Sequence, residues 1–213
     1  MASRPPGRSV KIGEDERTGY SSDRPRRDGG RVRPPDLRVN CRVLAPADRL
    51  RYSPGSLLIV CCASSDQLEA FLERLIDDRS SLLTRRRVLK LLAGRVPEEQ
   101  IEERADELLG LTVGKRLENR QTVVLGLQDM SAAAREPFLA KASELRRPRH
   151  LILLEVAREL VDEETLGQLN ELRRALDAGE LGAEGIQTAL RLGGGTAEEV
   201  KRILFRPPPR EDD

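Results

Sequence analysis

No apolar run in this 213-residue chain approaches the roughly 18–20 residues that a bilayer-crossing helix needs. With 34% charged and 38% hydrophobic residues, the expectation is a soluble protein with no membrane contact. The opening Met1-Ala-Ser-Arg-Pro-Pro-Gly carries a basic residue with no apolar stretch behind it, so no secretory signal is expected and the expected compartment is the cytoplasm. The three cysteines should then be reduced thiols. Metal-ligand spacing is also missing: Cys41 stands far from Cys61 and Cys62, and the single histidine, His150, completes no four-ligand pattern, so no metal site is expected. Buried structural thiols are the expectation for Cys61 and Cys62, and a strand-end role for His150. The triple glycine at Gly193 has no following Lys-Ser and reads as a turn. There is no internal repeat and no heptad run.

What the chain does have is an uneven distribution of charge. Up to Ser53 it carries 13 Lys+Arg against 7 Asp+Glu, and the remainder carries 24 against 29. A basic arm on an acidic body suggests an anionic partner such as nucleic acid, although the arm lacks the interleaved aromatics of single-strand binders. Residues 1–36 are rich in Arg, Pro, Gly, Ser and Asp, and too poor in apolar side chains to offset the entropy of ordering, so a disordered arm is expected there. Residues 37–52 read as a connector packed on the domain, 53–206 as the domain and 207–213 as a tail.

Within the domain, Ser56-Leu-Leu-Ile-Val-Cys-Cys, Thr122-Val-Val-Leu-Gly-Leu and His150-Leu-Ile-Leu-Leu-Glu-Val are continuous apolar runs, the pattern of strands covered on both faces. Helical spacing lies between them: Leu68, Phe71, Leu72 and Leu75; Ile101, Ala105, Leu108 and Leu109 after Pro97-Glu-Glu; Phe138, Leu139, Ala142 and Leu145 after Ser131; and Leu166, Leu169, Leu172 and Leu176. Gly185–Leu192 and Lys201–Phe205 read as further strands, with a short helical stretch from Thr196 between them. The alternation predicts a three-layer α/β domain with a doubly wound, mostly parallel sheet.

The order of Ser53-Pro-Gly-Ser-Leu-Leu-Ile-Val, Arg116-Leu-Glu-Asn-Arg-Gln-Thr-Val-Val, Ala134-Arg135, His150-Leu-Ile-Leu-Leu and Glu184-Gly-Ile resembles the small P-loop kinases of the polynucleotide-kinase type. A working phosphate loop reads G-x-x-x-x-G-K-S/T, its N–H groups cradling the phosphates while Lys neutralises them and the hydroxyl holds magnesium. On that pattern Cys61 stands at the first glycine, Ser64 and Ser65 inside the loop, Asp66 at the second glycine, Gln67 at the lysine and Leu68 at the hydroxyl. The resemblance further implies an aspartate general base where this chain has Arg86 or Arg87, an acid near the metal where it has Gly126, and an arginine-bearing lid where it has the short Val156–Glu164. Arg135 and Arg158 remain.

Losses at loop, base, metal acid and lid together imply a catalytically inactive kinase-like domain, a pseudokinase with no cofactor, acting as a binding or regulatory module. Its partner would be a protein, or an oligonucleotide near Arg85, Arg86, Arg87 and Arg135. One alternative is an ATP- and magnesium-dependent kinase acting on a hydroxyl such as a polynucleotide 5′ end, with Lys90 or Lys115 as substitute phosphate ligand. The other is a structural subunit docking through its N-terminal arm.

Overall fold

The computed structural model describes residues 37–207. The expectations for the arm over 1–36 and for most of the tail lie outside the described residues. The chain runs β1 (Arg42–Leu44), β2 (Arg49–Tyr52), β3 (Leu57–Cys61), α1 (Ser65–Leu75), β4 (Leu82–Thr84), α2 (Arg85–Leu92), α3 (Glu98–Glu118), β5 (Val123–Leu127), α4 (Ala132–Glu144), β6 (Arg149–Leu154), α5 (Glu163–Asp177), β7 (Thr188–Leu192), α6 (Gly195–Glu199) and β8 (Arg202–Phe205). Short 3₁₀ turns stand at Arg79–Ser81, Arg158–Leu160 and Glu180–Glu184.

Six strands form one sheet in the order β1-β7-β6-β3-β5-β4, and every pairing is parallel. The most apolar strand takes the centre. All five residues of β3 are fully buried, and Ile59 lies level with Leu125 on one side and Leu151 on the other. The twofold alternation of a strand divides the core. Leu57, Ile59 and Cys61 face a layer built by α3, α4 and α5, with Ala105, Leu109, Val113, Leu117, Leu139, Leu169 and Leu172. Leu58, Val60 and Cys62 face the opposite layer, where α1 contributes Leu68, Phe71, Leu72 and Leu75.

That second layer departs from the expected pattern. Helix α1 covers only part of it, and the rest is closed by a separate ribbon of β2 and β8, paired in parallel, whose inner face supplies Leu50, Tyr52 and Ile203. The segment 37–52 is therefore not a plain connector. It contributes β1 to the sheet edge and β2 to the ribbon. Strand β7 also starts later than Gly185, because Gly185 adopts a φ of +90°.

Local signals fix the helix starts. Ser64 Oγ accepts from Gln67 N–H at 3.3 Å, Ser131 Oγ from Ala134 N–H at 3.2 Å and Asp162 from Thr165 N–H at 2.8 Å. Helix α3 follows Pro97 and carries Glu98 and Glu99 in its first turn and Lys115 and Arg116 in its last, a charge order matching the helix dipole.

Candidate functional site

From β3 the chain crosses to the outer strand β4, returns to β5 and then passes over β3 to β6, so the sheet reverses direction at β3. In open α/β sheets ligands sit outside the carboxyl ends of the strands at such a reversal. A cleft of about 550 Å³ opens there, floored by Leu68, Gly126 and Leu109 and rimmed by Glu69, Arg85, Arg86, Asp106 and Asp129.

The loop from β3 to α1 is short and tightly bound. Cys61 and Cys62 are buried, and burial pushes their thiols up to about 12 and about 11, so both stay protonated. Cys62 N–H donates to Leu127 C=O at 3.0 Å, and Ser64 turns its hydroxyl onto the helix it caps. No residue from Cys61 to Leu68 has a positive φ, whereas a phosphate nest is commonly built by alternating right- and left-handed residues. Ser65 lines the cleft, Gln67 is exposed and does not line it, and Leu68 is only 2% exposed within the core.

Gly126 has no space for an acid. A Cβ there would lie 2.8 Å from Thr84 Cγ2, 3.0 Å from Leu68 Cδ2 and 3.2 Å from Leu72 Cδ1. Leu68 and Gly126 thus fit each other.

The arginines are engaged as well. Arg85, Arg86 and Arg87 form the first turn of α2, where three cations oppose the helix dipole, and carboxylates from both neighbouring helices compensate. Arg85 pairs with Glu102 and, at 2.7 Å, with Asp106, whose hydrogen bond holds the guanidinium above its usual value. Arg86 pairs with Asp66, which raises it likewise. Arg87 donates to Glu69 at 2.8 Å and to Glu73 at 2.7 Å, while Thr84 Oγ1 donates to the other oxygen of Glu69. The sequence showed the three cations but not their partners, because Asp66, Glu69, Glu73, Glu102 and Asp106 sit on the polar faces of other helices.

Arg135, expected as an anion contact, does not line the cleft. It is 2% exposed, bound to both oxygens of Glu184 at 2.9 and 2.7 Å and to Met130 C=O at 2.5 Å, so its donors are committed inside the protein. Arg158 opens the 3₁₀ turn between β6 and α5. Lys90 and Lys115 are exposed on α2 and α3. Among the described residues no three His, Cys, Asp or Glu side chains converge as a metal site.

No family model and no curated protein matches this chain. Among solved structures, an inferred kinase from Chloroflexus aurantiacus j-10-fl is similar over 65% of this chain and 88% of its own, at 14% identity and a TM-score of 0.39. A likeness that slight carries no argument about the site.

Proposed function

We propose that this domain is a non-catalytic relative of the P-loop kinases that serves as a binding or regulatory module. The observation that carries this reading is the ion pair between Asp66 and Arg86. Asp66 stands where the resemblance puts the second loop glycine, and the general-base position falls at Arg86 or Arg87. A carboxylate beside the phosphates would repel a nucleotide, and a guanidinium cannot accept a proton. Paired, they neutralise each other beside the cleft that Arg86 lines.

Two further features support the reading. Leu68 and Gly126 pack against each other at positions that would otherwise offer a magnesium hydroxyl and an acid, and the loop backbone lacks left-handed residues. The residues present do not fit magnesium–ATP in the P-loop manner.

Thermal melting with magnesium–ATP tests this, because a ligand that binds only the native state raises the melting temperature by mass action. No shift is expected for the wild type or for Gln67→Lys, whose new cation would lie on the exposed side of α1. A saturable shift, or transfer of labelled phosphate from ATP to a hydroxyl-ended oligonucleotide, would establish the kinase reading instead.

A further inference from the structure

The arginines at the start of α2 are internally paired, but a second basic cluster is paired only in part. In the β2–β8 ribbon, Leu50 and Tyr52 alternate with Arg49 and Arg51, and Ile203 and Phe205 alternate with Arg202, Leu204 and Arg206. The in-register parallel pairing sets Arg49 opposite Arg202 and Arg51 opposite Leu204. With the apolar residues turned inward, the outward residues and Lys201 line a groove of about 420 Å³ whose only uncharged member is Leu204.

Among the described residues little neutralises these charges. Arg202 pairs with Asp77 at 2.7 Å, and Arg49 reaches Asp48 only at 3.7 Å with both side chains largely in solvent. Lys201 Nζ donates to the Glu198 backbone carbonyl at 2.8 Å, which leaves its charge unmatched. Arg51 and Arg206 have no ion pair among the described residues. The ribbon reaches the amino ends of the strands, opposite the cleft at their carboxyl ends: the Tyr52 ring lies 4.6 Å from that of His150 near the start of β6, and Arg206 shares a surface depression with Thr122, just before β5.

We infer that the outer face of the β2–β8 ribbon binds the phosphodiester backbone of duplex DNA. Four of the six groove residues are arginines, whose planar fork matches phosphate oxygens. Cations two residues apart on a strand lie roughly 6.6 Å apart, so one strand can engage successive phosphates. A protein partner would need an apolar or aromatic anchor at the centre of the patch, and Leu204 alone does not make one. Single-strand binders use exposed aromatic platforms, whereas Tyr52 and Phe205 alternate with the outward arginines and stack 6.0 Å apart within the ribbon. A two-stranded ribbon also has the dimensions to lie along a duplex groove. Contact is with phosphates and independent of sequence.

The test is fluorescence anisotropy of a labelled mixed-sequence duplex of roughly 20 base pairs with the full-length protein, across a salt series. Engagement of about three or four phosphates predicts a roughly 40- to 150-fold loss of affinity between about 50 and 200 mM salt. Arg51→Glu/Arg206→Glu should weaken binding by at least about tenfold, and Lys90→Glu/Lys115→Glu, with the same charge change on α2 and α3, by less than about threefold. If the first pair fails to fold by circular dichroism, Arg51→Gln/Arg206→Gln should still weaken binding about threefold or more. No binding at the lowest salt overturns the inference. So does equal weakening by both reversed pairs, which would reflect net charge alone, or an unaltered affinity in the ribbon variant, which would assign binding to another basic segment. Tighter capture of the single strand or of polyglutamate overturns it too, in favour of a different partner. None of these outcomes depends on whether the cleft binds nucleotide.

Discussion

At the scale of single residues, His150 shows how burial selects a protonation state. Its Nδ1 is 2.8 Å from Thr188 Oγ1, and its Nε2 is buried with no hydrogen-bond partner. A proton on both nitrogens would add a donor with nothing to accept it, beside the cationic Arg149. Burial first, and then Arg149, push the imidazole down to about 4 from its ordinary value near 6.5. A histidine depressed on folding contributes stability that is present above about pH 6.5 and lost as pH falls toward about 4. Wild-type stability in urea should therefore drop by about 2 kcal/mol more than that of His150→Gln between about pH 7.5 and about pH 5. Equal pH slopes for the two proteins would show that the ring is solvated. The position was legible as a strand start, but its burial was not, because the covering Tyr52 comes from a segment without a strand pattern of its own.

Gly126 makes the complementary point about space. Gly126→Ala should destabilise the protein by about 1–3 kcal/mol in chemical denaturation, since the new methyl group would meet Thr84 Cγ2 at 2.8 Å and neither β4 nor α1 can retreat without loosening the core. A variant as stable as the wild type would mean that the cleft floor is soft enough to accept an acid there.

Among the elements, the ion pair of buried Arg135 and half-buried Glu184 joins α4 to the 3₁₀ turn before β7. Removing one partner strands the other in a poorly solvated site, at a cost of about 3–5 kcal/mol, whereas apolar replacement of both is often neutral. Arg135→Met should therefore lower the urea midpoint sharply, and Arg135→Met/Glu184→Met should recover much of the loss. A double variant as weak as the sum of its singles would show that the two residues act independently. Elements with strong internal signals were legible beforehand: the unbroken apolar runs of β3, β5 and β6, the capping serine at 131 and the spacing of Leu68, Phe71, Leu72 and Leu75. Strands β1, β2 and β4 were not, because they span three or four residues and two of them carry exposed arginines, so their identity comes from the strand alongside. The cleft's location followed from the order of strands. Its charge state did not, since the acids that pair with Arg85, Arg86 and Arg87 project from α1 and α3.

For the whole molecule, residues 37–52 belong to the fold. Val39 N–H donates to Gly182 C=O at 2.9 Å, β1 pairs with β7, and Leu50 and Tyr52 are about 5% and 4% exposed in the second core layer. Removing residues 1–52 would uncover the β7 edge and the apolar inner face of β8. The shortened chain should aggregate or melt without a cooperative transition, as seen by light scattering and calorimetry. A monomer melting like the full chain would return 37–52 to the role of a connector.

The pairing of Arg42 with Thr188 and of Arg49 with Arg202 also has a temporal side. The first two strands leave the ribosome before the strands they pair with have been translated. At a synthesis rate of about 5–20 residues per second, about 150 intervening residues correspond to roughly 8–30 s. During that interval β1 and β2 remain unpaired, and the arrival of β7 and β8 completes the sheet edge and the ribbon.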